Sequence, residues 1–148
     1  MSEEVSYTSS VKELVKQLPV LKKRQLTQKQ HNNARISFGH KGEELACAFL
    51  TGHGYSILER NLRLNTYEVD IIALDTQAHE LVFVEVKRRR NTQYGQPFQA
   101  VGYKKLHSMH RVARAYLTTH IFPLDYRFDI ISIVGTNIEH FANVTWFT

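Results

Sequence analysis

The chain has 148 residues, 43% hydrophobic and 22% charged, with a formal net charge of +5; this is the profile of one globular domain with a real core, not of a disordered or fibrous chain. No apolar run approaches the ~20 residues of a spanning helix, and the opening Met-Ser-Glu-Glu-Val-Ser lacks the basic-then-apolar order of a leader, so no membrane association and a cytoplasmic location are expected. A single cysteine, Cys47, excludes an internal disulfide, and its neighbours Leu45, Ala46 and Phe49 mark it as a small buried hydrophobe rather than a catalytic thiol.

The charge is unevenly spread. From Lys12 to Lys41 there are eight basic residues against one acid, Glu13, and from Lys87 to Arg114 eight against none. The acids gather between Glu43 and Glu85. Basic flanks around an acidic centre suit a polyanion that is first attracted and then acted on.

Residues 1–36 read as a basic, partly helical arm. Val11, Leu14, Val15 and Leu18 have helical spacing, Pro19 interrupts it, and Gln28 to Asn33 is a polar tether. Its apolar stripe could dock on the body or on a protein partner. The main domain, residues 37–148, opens with Ser37 as the expected cap of a helix that Gly52 and Gly54 end. Strands follow at about Tyr55 to Arg63, Tyr67 to Asp75 and Glu80 to Lys87, with turns at Asn65-Thr66 and Thr76 to His79. Links this short imply an antiparallel meander. A helix is expected over Gly102 to Thr119, with Leu106, Met109, Ala113, Tyr116 and Leu117 as its apolar stripe. Arg127 to Val134 reads as a strand and Phe141 to Phe147 as another; the strand, helix, strand run predicts a right-handed crossover between parallel strands. The fold class expected is α/β, a mixed sheet with helices on its faces.

Two strands carry the chemistry. Leu81-Val-Phe-Val-Glu-Val-Lys87 ends by placing Glu85 and Lys87 on one face, and Glu68-Val-Asp70-Ile-Ile-Ala73 brings two acids on a second strand. Strict alternation groups Asp70 with Glu68, Ile72 and Leu74, and Val69 with Ile71 and Ala73. Magnesium needs only one or two protein carboxylates, completed by water and substrate oxygens. Asp70 and Glu85 fit that need, with manganese as an equivalent ion, and Lys87 is expected to stay charged and to support water or the phosphorane oxygens. Glu43, near the core side of the first helix, is the candidate third metal-facing acid; the structural alternative is an acid favoured by the helix dipole.

Together Gly39-His-Lys-Gly42-Glu43-Glu-Leu-Ala46, Gly54-Tyr-Ser-Ile-Leu-Glu-Arg-Asn61, Glu68-Val-Asp70-Ile-Ile-Ala73 and Leu81-Val-Phe-Val-Glu-Val-Lys87-Arg resemble the bacterial YraN-like proteins, relatives of archaeal Holliday-junction resolvases in the PD-(D/E)xK nuclease superfamily. The resemblance runs from about Phe38 to the end. It implies a restriction-endonuclease-like core in which Glu43, Asp70, Glu85 and Lys87 match the motif acids and lysine. Tyr67 departs from the pattern, which usually has glycine before the second-strand acid, and the arm before Ser37 lies outside it.

Arg88, Arg89 and Arg90 follow the motif lysine, and Lys104, Lys105, His107, Arg111 and Arg114 lie on the next helix, a set that could hold backbone phosphates without reading sequence. Tyr94, Phe98 and Tyr103 add aromatic planes able to stack on unpaired bases. His107 and His110 lack a third ligand for zinc, and Asp129 beside Arg127 reads as a structural ion pair. The expected function is a magnesium-dependent DNA endonuclease acting on branched or irregular DNA; the residues do not distinguish DNA from RNA. The rivals are a nucleic-acid-binding module of the same fold without catalysis and a protein-interaction adaptor working through the arm. Junction cutting would fit a homodimer, since two opposed strands must be cut.

Overall fold

In the computed structural model the described residues are 33–91, 93, 101–119 and 124–144. The expected helix within the arm, Tyr94, Phe98 and the end of the chain fall outside them. Helix α1 (Asn33–Gly52) leads into strands β1 (Tyr55–Leu64), β2 (Tyr67–Asp75) and β3 (Glu80–Arg89); α2 (Tyr103–Thr118), β4 (Asp125–Val134) and β5 (Asn137–Phe141) follow. The helix therefore begins four residues before Ser37, which sits inside it: no glycine or proline separates Asn33 from Ser37, and an exposed serine costs a helix little.

The five strands form one sheet in chain order. β1, β2 and β3 are an antiparallel meander, β4 runs parallel to β3, and β5 returns antiparallel to β4. The mixed sheet with two helices has a restriction-endonuclease-like arrangement. Turn chemistry sets the meander. Asn65 at φ 55° opens the two-residue link between Leu64 and Tyr67. In the next turn the Asp75 side chain accepts the amides of Gln77 and Ala78, an Asx turn that closes with His79 at φ 56°.

Among the described residues the last strand, β5, begins at Asn137 rather than at Phe141, and residues 142–144 are not strand. Gly135, at φ 60°, starts a two-residue hairpin that pairs Val134 with Asn137. The tight turn, rather than the run of apolar residues near the end, decides where pairing resumes.

Both sheet faces are covered. On one, Leu81, Phe83, Phe128 and Ile130 pack against Leu106, Met109, Val112 and Tyr116 of α2. On the other, Val82, Val84, Ile131 and Ile133 meet Ala46 and Leu50 of α1. Full burial of each Leu, Ile or Phe contributes ~1.5–3 kcal/mol, and period-two alternation along β3 feeds both layers at once. No helix among the described residues is long and apolar enough to cross a membrane.

Candidate active site

The sheet's regularity fails at Asp70. Pairing of β2 with β3 covers Asp75–Glu80 to Ile71–Val84 and stops there. On the other side β1 pairs through Arg60–Ile71 and Leu62–Val69, with Asn61, opposite Asp70, at φ 52°. Val69 consequently packs on the α2 side with Ile72, while Ile71 and Ala73 face α1. Strict alternation, which grouped Val69 with Ile71, is broken by this irregularity. With the β2–β3 ladder ended at Ile71 and Val84, the Asp70 carboxylate takes up a β3 amide: Val86 N–H donates to Asp70 Oδ2 at 2.8 Å.

Glu85 continues the α2-facing row of Leu81 and Phe83 and is 2% exposed. Its carboxyl is close enough for its charge to raise the Asp70 pKa. Two lysines flank it. Lys87 Nζ stands 2.7 Å from Glu85 Oε1, and Lys105 Nζ 2.8 Å from Glu85 Oε2 and 3.3 Å from Glu68 Oε1. Glu68 is further tied by Arg63 at 2.9 Å, and its backbone N–H donates to Ser108 Oγ at 3.1 Å. These contacts dock the first turns of α2 on the start of β2.

The electrostatics are unbalanced. Burial, then the neighbouring Glu85 charge, push the Asp70 carboxyl from 3.8 up to about 8, against the opposing pull of Lys105 and the Val86 amide. Burial disfavours the Lys105 charge, but Glu85 and Asp70 outweigh it and raise its pKa. Two adjoining carboxylates, Glu85 buried and Asp70 half-buried and ionised only at a cost, form a donor set that suits a hard divalent cation, which takes one or two protein carboxylates and fills the rest with water and substrate oxygens.

Glu43 does not join this pair. No three Asp, Glu, His or Cys side chains among the described residues stand close enough together to hold an ion. α1 packs on the sheet face opposite Glu85, and Glu43 Oε2 lies 3.8 Å from His40 Nδ1. The expected convergence of three acids is thus two acids with two lysines. Lys105, read from the sequence only as a phosphate contact, is the group missed at the centre. Nothing local marks it, since the crossover that brings α2 over β3 is a long-range event.

The expected phosphate contacts divide. Arg88 turns toward α1: its guanidinium lies 4.1 Å from the Phe38 ring centroid and Nη1 donates to the Phe38 carbonyl at 3.0 Å. Gly42 makes room for it, because a Cβ there would sit 3.1 Å from Arg88 Cδ. Arg90 is exposed, with its guanidinium 5.4 Å from Phe38, while Arg89 is half-buried at the end of β3. Lys104, His107, Arg111 and Arg114 are exposed along α2. His110 is half-buried against Phe128 at 4.3 Å between ring centroids, and burial lowers its pKa. Cys47 is partly buried, and burial raises its thiol pKa, the reverse of an activated nucleophile.

Arg127 and Asp129 form the expected ion pair, at 3.1 Å, within a larger buried network on the α1 face. Arg127 also binds Asp75, Glu80 and the Tyr55 hydroxyl. Asp129 is held by His140 Nε2 at 2.7 Å and accepts the Asn143 amide at 2.8 Å.

Comparison with known proteins places these features in a family. The profile of "Uncharacterised protein family UPF0102" matches residues 42–133, a span that holds every acid and lysine of the site. A UPF0102 protein of Chlorobium chlorochromatii is 42% identical over 116 residues, covering 78% of this chain and 88% of its own. Those of Cytophaga hutchinsonii and Thermodesulfovibrio yellowstonii are each 40% identical, covering 74% of this chain and 96% of their own. The chain belongs to UPF0102, the YraN family, which is PD-(D/E)xK nuclease-like.

Proposed function

We propose that the protein is a magnesium-dependent endonuclease that hydrolyses phosphodiester bonds in DNA, with Asp70 and Glu85 as the metal-holding acids. One observation carries the reading: Asp70 leaves the β2–β3 ladder at the position where it meets Glu85, with Val86 N–H fixing it and two ammonium groups alongside. Bound magnesium, or manganese in its place, would neutralise the phosphate and acidify a water molecule. The chain's own residues do the rest. Val86 N–H holds one Asp70 oxygen, Oδ2, which fixes the carboxylate that would bind the metal. Lys105, only 18% exposed, fixes Glu85 and Glu68 from α2. Lys87, at 34%, is the more accessible ammonium and is placed to orient a water or to oppose charge that develops on phosphate oxygens. Arg90, Lys104, Arg111 and Arg114 would position the backbone on either side without reading sequence.

A specific observation favours a second reading, a binding module without catalysis. Lys87 and Lys105 already pair with Glu85, so its charge is compensated by the protein alone. The two readings part in one experiment, in which wild type, Asp70→Asn and Lys87→Ala are incubated with linear duplex, single-stranded and four-way-junction DNA, in magnesium and in chelator. Cutting by wild type only, and only with metal, is the outcome expected of the enzyme. Equal, salt-sensitive binding by all three with no product would leave the binding module.

A further inference from the structure

We infer that Tyr103, His107 and Tyr67 form a stacking platform for an unpaired nucleotide of single-stranded or branched DNA, beside the acidic centre. Tyr103 is 73% exposed at the first turn of α2, the most exposed of the three large apolar side chains found at the surface among the described residues. It is not left loose. Its ring lies parallel to that of His107, one turn on, with centroids 6.2 Å apart and planes at 25°. Tyr67 closes the other side edge-on, 6.4 Å from His107 and at 73°. Arg111 Nε donates to His107 Nε2 at 3.4 Å, which sets the orientation of the imidazole.

Place and charge identify the occupant. Tyr67 directly precedes Glu68, and Lys105, between Tyr103 and His107 in the chain, reaches Glu85, so the platform adjoins the proposed centre. Beyond it Arg111 and Arg114 follow on the same helix face, over about 16 Å from Tyr103 at 1.5 Å per residue. Together with His110 and Tyr126 they line a groove of about 490 Å³. α2 carries no acid at all. Exposed aromatic planes followed by guanidinium groups suit a ligand with π faces on an anionic backbone, which describes single-stranded nucleic acid. Bases stacked within a duplex present no free face to Tyr103, so the platform discriminates by strand state rather than by sequence.

The inference rests on the nuclease reading for its biological purpose alone, and its test avoids cutting. Binding of a labelled oligothymidylate and of a long, fully paired linear duplex without a loop is measured by fluorescence anisotropy in chelator, using the full chain, Tyr103→Ala and Tyr103→Trp. Tyr103→Ala should weaken oligothymidylate binding about tenfold, the effect of losing one stacked base, with duplex affinity changed less than about twofold. Tyr103→Trp should restore it. An unchanged oligothymidylate affinity, an equal loss on duplex, or a tryptophan variant as weak as alanine would overturn the platform. Should wild type cut no DNA in magnesium while this discrimination persists, the nuclease reading fails and the platform stands.

Discussion

Two ionic clusters occupy this sheet, and they are built to opposite rules. Around Arg127 every partner has a counterpart: Asp129, Asp75 and Glu80 share one guanidinium, His140 and the Asn143 amide complete Asp129, and Tyr55 takes a remaining donor. Asp75 shows the result, since burial would raise its pKa but the amides of Ala78 and Gln77 and the Arg127 guanidinium hold it below the usual carboxylate value. Around Asp70 the same ingredients leave a carboxyl pushed up to about 8 by burial and by a second acid. The first cluster is settled without a ligand. In the second, ionising Asp70 is opposed by burial and by the Glu85 charge, a perturbation that a bound cation would lower and that supports the proposed metal site.

The largest expected effect lies at the unsettled cluster. Asp70→Asn should lower metal-dependent cleavage about a thousandfold or more, roughly 4 kcal/mol of transition-state stabilisation, as measured by single-turnover product formation. Asparagine keeps an oxygen for Val86 N–H, so the fold should survive.

Next is the settled cluster. Arg127→Met should cost about 3–5 kcal/mol in urea unfolding, because three carboxylates lose their shared partner. A loss below about 1 kcal/mol would show that the network is less tightly coupled than its hydrogen bonds imply.

A third expectation separates the clusters by pH. The folded Asp70 carboxyl has a pKa near 8 against 3.8 ordinarily, so folding takes up a proton between those values. Its contribution to stability is therefore full at acid pH and is lost as pH rises through about 8. Wild type should lose stability relative to Asp70→Asn between pH 5 and pH 8. Magnesium at pH 8 should restore wild type selectively, since a ligand bound only by the folded state raises its melting temperature. Parallel pH curves for the two proteins would remove the charge imbalance.

The smallest effect is at Arg88. Arg88→Met should cost about 0.5–1 kcal/mol through the lost contact with Phe38 and leave the salt dependence of DNA binding unchanged. Arg90→Gln should reduce the slope of log affinity against log salt by about one. Reversed outcomes would exchange the roles of the two arginines.

The alternation of Leu81 to Lys87, the Asn65-Thr66 turn and the apolar spacing of α2 are local properties, dictated by side-chain period and turn chemistry. From them the sequence by itself determined an antiparallel meander, a following helix, a parallel return strand and the pairing of Glu85 with Lys87. Only the tertiary structure decided what depends on breaks and on distant partners. The irregularity opposite Asn61 turns Val69 to the α2 side and lets Asp70 reach the Val86 amide, yet no residue type announces a missed ladder pair. α1, docked on the face opposite Glu85, keeps Glu43 out of the acid pair and occupies Arg88, while the crossover delivers Lys105 into it. Spacing along a chain predicts which way a side chain points within its own element. Which element lies opposite is decided by the packing of two apolar faces, and the charges travel with them.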